Sequence, residues 1–241
     1  MLERLASKGG LSVVAGVRDV AAASKSLSES SVVVRGAMVQ SVPSVDASSV
    51  QLQRLDVVQD DATALASALA GAQSLVIATG FVPSNPLAMS KAAHAVDNVG
   101  TVALVDAAKA AGVKKVVLVS SILTNGRAWG QEKSPGFVVT NAFGGVLDEK
   151  LVAERYLRAS GLDYTIVRPG GLKSTPPAGA LVVAQEDTLN SGEISRDTVA
   201  DVCVAALFDK AASNAVVEIF ESEQPGATAP PEGKWFYGLK M

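Results

Sequence analysis

Short β-branched runs alternate with stretches of helical spacing along most of this chain, and the alternation predicts its elements in turn. Residues 1–7 (MLERLAS) have helical spacing, and Gly9-Gly10 stops them. Residues 11–17 (LSVVAGV) read as a buried strand and residues 19–27 as a helix. Residues 28–49 are rich in serine and valine without helical period, which predicts a loop carrying a strand-like piece at 32–40. Residues 50–57 (VQLQRLDV) alternate as a strand does, and 62–69 form the next helix. A third buried strand spans 74–79 (SLVIAT) and ends at Gly80. Residues 99–111 are a helix stopped by Gly112, and 115–120 (KVVLVS) a fourth strand. The helix over 148–160 stops at Gly161 and feeds a fifth strand at 164–167. Further strands are predicted at 180–184 and 216–220, with a helix at 198–207 between them.

Strands that alternate with helices of about a dozen residues imply parallel βαβ units with right-handed crossovers. The fold class expected is therefore α/β, a Rossmann-like doubly wound parallel sheet, continuous over residues 1–221 as one domain. The Pro/Gly-rich stretch 224–233 and the segment 234–241 (KWFYGLKM) read as a linker and tail, 222–241. The loops after the later strands would form a small cap on the substrate side.

Composition agrees with this frame. Hydrophobic residues make up 48% of 241 and aromatics only 5%, an Ala/Val-built interior suited to strands covered on both faces. A net charge of −3 offers no basic footprint, so nucleic acid is not an expected partner. No apolar run reaches the roughly 18 residues of a transmembrane segment. One cysteine, Cys203, excludes an intrachain disulfide, and a single histidine, His94, cannot build a metal cluster.

In such sheets the ligand lies across the carboxyl ends of the strands. Arg18 stands at the end of the first strand read here, where a guanidinium suits a 2′-phosphate and favours NADP; a solvated turn arginine is the equal alternative, and the neighbouring Asp19 speaks against the phosphate. Asp56 and Val57 end the next strand, where a carboxylate can accept from an adenine amino group or simply close a turn. Ala78, Thr79 and Gly80 end the third, with small residues that let backbone approach a ribose. Ser120 and Ser121 end the fourth and offer hydroxyls to a substrate carbonyl or a nicotinamide ribose. Arg168, Pro169, Gly170 and Gly171 end the fifth, with glycine N–H groups able to meet a carboxamide.

The stretches 117–126 (VLVSSILTNG) and 150–172 (KLVAERYLRASGLDYTIVRPGGL) resemble the atypical short-chain dehydrogenase/reductases of the NmrA-like group. Ala15-Gly16-Val17-Arg18, Asn98-Val99-Gly100-Thr101 and Ile194-Ser195-Arg196-Asp197 carry the same likeness. It looks nearest to a plant and algal plastid branch, related to the import-associated protein that tethers ferredoxin–NADP reductase. The resemblance implies a bound dinucleotide, NADP (NADPH), reductase chemistry on an unknown substrate, a protein partner and a place in the chloroplast stroma. It also implies that Ser121 and Lys150 are the catalytic candidates, Lys150 reaching the ribose as well, although a lone lysine on a charged helix face is equally ordinary.

Two departures from the family pattern stand out. The superfamily carries Tyr-x-x-x-Lys on the helix after the serines; Lys150 fits the lysine, so the tyrosine position is Val146, which has no proton to give. The family also opens with a strand and a Gly-x-x-Gly-x-x-Gly turn that binds pyrophosphate at a helix N-terminus, whereas this sequence begins inside that helix. Five or six buried strand residues contribute on the order of 10 kcal/mol, against a domain stability of about 5–15 kcal/mol. Either the sequence is a fragment or another segment, with 32–40 the spare β-like run, fills that place; as given, the chain is expected to bind NADPH poorly. An NADP(H)-dependent reductase and a non-catalytic binding or scaffold subunit on the same fold are the two functions the sequence leaves in play.

Overall fold

The computed structural model describes residues 1–28, 50–82 and 85–239. The strand-like piece expected at 32–40 lies outside them. In chain order come α1 (Leu2–Ser7), β1 (Val13–Val17), α2 (Val20–Ser28), β2 (Val50–Arg54), α3 (Ala62–Ala68) and β3 (Ser74–Ile77). Then follow α4 (Met89–Ala93), a π-helical turn (His94–Gly100), α5 (Thr101–Ala111), β4 (Lys115–Val119), α6 (Pro135–Asn141) and α7 (Val146–Ala159). The last third holds β5 (Asp163–Pro169), β6 (Gly171–Lys173), β7 (Ala180–Gln185), β8 (Glu193–Ser195), α8 (Arg196–Phe208) and β9 (Ala215–Ser222).

β1 and β2 pair in parallel, and a five-stranded sheet runs in the order β3-β4-β5-β9-β7. β7 is antiparallel to β9, which corrects the expectation of parallel strands along the whole length. No crossover helix separates β5 from β7, so the chain reverses between them, whereas β8 and α8 carry it back and set β9 parallel to β5. β6 and β8, a further parallel pair, were not legible in the sequence because each is three residues long.

The period of two along the central strands explains the double winding. Val116 and Leu118 of β4, with Tyr164 and Ile166 of β5, pack against Leu65, Leu104, Val105, Ala108 and Leu157 from α3, α5 and α7. Val117 of β4 and Val167 of β5 point the other way, onto Val199, Val202, Cys203 and Ala206 of α8. Cys203 is fully buried there, and burial pushes its thiol up to about 12, which makes it inert. The segment expected as a linker and tail sends Phe236 into this second cluster, 2% exposed, and Trp235 Nε1 donates to the Pro230 carbonyl at 3.2 Å.

The helix expected from residue 99 begins ten residues earlier, because α4, the π-turn and α5 run on without a break. At its midpoint Gly100 lies so close to β2's exit that a Cβ there would sit 2.7 Å from Val57 Cγ2. That contact brings the end of β2 over the N-terminus of α5, and Leu55 and Val57 join the main core cluster.

Candidate functional site

β3, β4 and β5 end side by side in one sheet, β1 and β2 pair in another, and the structure distinguishes the candidates on their ends. Beyond β1, Arg18 is exposed, and it makes no ion pair among the described residues. Asp19 is occupied locally: its Oδ1 accepts from the Ala22 N–H at 2.9 Å as a cap on α2. Beyond β2, Asp56 Oδ1 accepts from Val58 N–H at 2.9 Å and its own N–H donates to Asp60 at 2.7 Å, so this carboxylate shapes its turn. Val57 is held against Gly100. Beyond β3, Ala78 and Gly80 are exposed, and the Thr79 hydroxyl is buried without a hydrogen-bond partner. A buried hydroxyl with nothing to bond is a group waiting for a ligand or water.

At the end of β4 the geometry tightens. Lys150 Nζ on α7 lies 2.8 Å from Asp97 Oδ1 on the π-turn; the aspartate is fully buried, and its other oxygen accepts from Phe81 N–H at 3.2 Å. Lys150 is thus a half-sequestered ammonium held in place, not one of the ordinary charges of a solvated helix face. A small cavity lies between Asp97, Thr101, Ser120, Lys150 and Ala153. Asp97 was missed in the sequence because nothing marks it among the polar residues of a helix; its signal was the spacing to Gly100, which forces that turn against the strand ends.

Ser120 is buried, and its hydroxyl donates to the carboxylate of Glu154. That corrects the expectation of a hydroxyl offered to a substrate carbonyl. Glu154 in turn is gripped by Arg168, with Nε 3.0 Å from Oε1 and Nη2 2.6 Å from Oε2. Arg168, expected to end a strand, is wholly buried inside β5 and also meets Asp187 at 2.8 Å and Glu218 at 3.3 Å. Burial alone would lower its pKa, but the three carboxylates more than offset that and raise it. Burial pushes the Glu218 carboxyl up, partly countered by the N–H groups of Leu189, Asp187 and Thr188 that it accepts at 2.7, 3.0 and 3.1 Å. The hub therefore fastens the 187–189 turn, whose Asp187 has φ +62° and also accepts from Asn125 Nδ2 at 2.7 Å.

The glycines after β5 do not do what was expected of them. Gly170 N–H donates to Ile219 O at 2.9 Å, and Gly171 N–H donates to Gly192 O at 2.9 Å. Both donors are occupied and neither can meet a carboxamide. Gly170 is required for a different reason: a Cβ there would lie 2.5 Å from the Gly192 carbonyl oxygen. The Pro169 carbonyl accepts from Ile122 N–H at 3.0 Å and so ties β5 to the loop after β4.

Val146 opens α7 one turn before Lys150 and is buried among Ala93, Ile122, Leu123, Phe137 and Leu147. None of the chain's three tyrosines approaches this position: Tyr156 donates to Asp106 at 2.6 Å, Tyr164 lies in the α3-α5-α7 core, and Tyr237 is exposed on the tail. The cap over this end is apolar, with Phe81, Trp129 and Leu189 packed around the same cluster. The donors here, an unpartnered hydroxyl after β3 and an ammonium fixed on α7 beside a polar cavity, fit the nicotinamide-ribose half of a dinucleotide. Among the described residues no group of three or more metal-ligating side chains occurs, and no helix is long and apolar enough to cross a membrane.

A sequence model of the NAD(P)H-binding family matches residues 26–210. The chain is 44% identical over 220 residues to an uncharacterized chloroplastic protein of Arabidopsis thaliana, covering 91% of this chain and 71% of that one. It is 34% identical over 232 residues to the chloroplastic protein TIC 62 of Oryza sativa subsp. japonica, spanning 90% of this chain and 43% of that protein. Sanguinarine reductase of Eschscholzia californica is 40% identical over 118 residues, 46% of this chain and 40% of the enzyme. Among solved structures, the oxidoreductase ylbE from Lactococcus lactis superposes with a TM-score of 0.69 at 23% identity, covering 95% of this chain and 86% of that one, a likeness of fold. With the matched family covering most of the domain, and the strand-end plan as described, the chain belongs to the NAD(P)H-binding family, as an atypical short-chain dehydrogenase/reductase of the NmrA-like group with chloroplastic relatives.

Proposed function

We propose that this protein binds NADP(H) across its strand ends through residues 1–221 and acts as a reductase of substrates that need hydride but no proton from the protein. The observation that carries this reading is one helix turn of α7: Lys150 is fixed by Asp97 at the site, and the place of the missing acid is Val146 in an apolar pocket. A bound reduced nicotinamide supplies hydride. A ketone oxygen would become an alkoxide and require a general acid, which normally contributes about 10²–10⁴-fold. An iminium carbon requires none, because the hydride neutralises its positive charge. Lys150 would hold the nicotinamide ribose, Thr79 and Gly80 would line its approach, Ser121 would face the substrate, and the apolar cap would exclude water. The stroma is the compartment that fits such a reductase among chloroplastic relatives.

At NADPH concentrations high enough to offset the weak binding expected without the glycine turn, the wild-type protein should oxidise NADPH with iminium acceptors and hardly at all with ketones. Val146→Tyr should raise ketone reduction by at least about tenfold while leaving the iminium rate nearly unchanged, both followed by NADPH absorbance. Robust ketone reduction by the unaltered protein would defeat the argument, because another residue would then be the acid.

Preference for the phosphorylated nucleotide is assigned to Arg18, exposed and without an ion pair among the described residues while Asp19 is committed to its cap. Arg18→Ala should weaken NADPH by about 10-fold or more, a charge-assisted pair being about twice as strong as a neutral hydrogen bond, and leave NADH nearly unaffected. Equal losses for both nucleotides in calorimetry would remove Arg18 from the site. A second reading, a non-catalytic binding or scaffold subunit, draws on the occupied Gly170 and Gly171 N–H groups and the inward Ser120 hydroxyl, which leave few polar atoms facing a substrate. NADPH binding without turnover of either substrate class would select it.

A further inference from the structure

The buried pair Arg168–Glu154 lies directly behind the candidate site, and the proposed reaction makes no use of it. Its chemistry fixes the direction of a hydrogen bond. A guanidinium stays protonated at all relevant pH, and Glu154, 1% exposed, takes that guanidinium on both oxygens at 3.0 and 2.6 Å. Glu154 is therefore an anion and can only accept. Ser120 has a single proton, and the contact with Glu154 requires it to donate. The other neighbour, Thr124 Oγ1 at 3.3 Å, directs its own proton to the Ser121 carbonyl. What Ser120 has left for the cavity beside it is lone pairs. Ser121 differs, since its hydroxyl makes no hydrogen bond among the described residues.

The same cavity is bordered by the Lys150 ammonium, which only donates, and it has room for about one water-sized group. On the nicotinamide half of a dinucleotide, the single group of this size that accepts from an ammonium while donating to a serine oxygen is a ribose hydroxyl. We propose that Glu154, held by Arg168, is a positioning residue that turns the Ser120 proton inward and so makes Ser120 a fixed acceptor for one hydroxyl of the nicotinamide ribose, leaving Ser121 as the serine able to donate to substrate. This rests on the nucleotide-site reading above.

The test compares nicotinamide mononucleotide with its 2′-deoxy-2′-fluoro and 3′-deoxy-3′-fluoro analogues, titrated into the whole chain and followed by NMR. Fluorine cannot donate, so the wild type should lose about tenfold in affinity for one of the two analogues. In Glu154→Gln the amide donates to Ser120, the serine proton turns outward, and the preference for hydroxyl should shrink to within about twofold or reverse. Ser120→Ala, which removes one small polar group and keeps the Arg168–Glu154 pair, should also abolish the preference; it serves if Glu154→Gln does not fold. A merely structural role for Glu154 would weaken all three ligands alike. An unchanged preference in Ser120→Ala, or a uniform loss in a folded Glu154→Gln, would overturn the assignment. If the wild type binds none of the three, the nucleotide-site reading itself fails; if it binds all three equally, only the present proposal does.

Discussion

Arg168→Met should destabilise the protein by about 3–5 kcal/mol, the usual cost of stripping one partner from a buried ionic cluster. One guanidinium currently faces three carboxylates, Glu154, Asp187 and Glu218, of which the first and last are essentially inaccessible. Methionine fills much of the volume, so the loss is electrostatic and not a cavity. Against a domain stability of about 5–15 kcal/mol, this is enough to lower the urea midpoint sharply. Acid should relieve the defect. Glu218 already has a raised pKa from burial, so its protonated form favours the folded state below the ordinary carboxylate range, and that contribution is lost as pH rises through the raised value. Without the Arg168 charge the Glu218 carboxyl shifts further in the same direction, and the difference between variant and wild type should narrow as pH falls. A loss under about 1 kcal/mol, or one indifferent to pH, would mean the cluster is solvated.

Phe236→Ala should cost about 3–5 kcal/mol as well, the range for deleting a buried aromatic ring. Phe236 is 2% exposed and packs with Val117, Val202, Cys203 and Ile219 in the core cluster on the α8 face of the sheet. Tyr237 next to it is 63% exposed and provides the control, since Tyr237→Ala should change stability by no more than about 0.5 kcal/mol. Equal midpoints for the two variants in thermal and urea unfolding would show the tail to be detached.

Much of the architecture could be read from residue order because buried parallel strands write continuous apolar runs. KVVLVS and SLVIAT were unmistakable as strands, and Gly112 and Gly161 marked the turns after α5 and α7 with φ of +76° and +82°. The direction of β7 was not readable, since an apolar run carries no sign of which neighbour it will meet. The site was legible by position and not by chemistry. Strand-end logic marked Ser120, Thr79 and Arg18, and the family pattern marked Lys150, but hydrogen-bond partners are set by long-range contacts. Glu154 stands fourteen residues from Arg168 and Glu218 fifty, separations no local pattern exposes. For the same reason the glycines after β5 looked free when their N–H groups were already committed to Ile219 and Gly192.

The sheet order also dictates a timetable for synthesis. β9 sits between β5 and β7, so β7 leaves the ribosome about 30 residues before the strand it pairs with. At about 5–20 residues per second, Ala-Leu-Val-Val-Ala-Gln waits for seconds as an unpaired apolar edge, and β5 waits longer with its β9 side open. Nascent chains halted before Ala215 should therefore be the ones that chaperones hold, and slowing translation over α8 would lengthen that exposure without altering the finished protein.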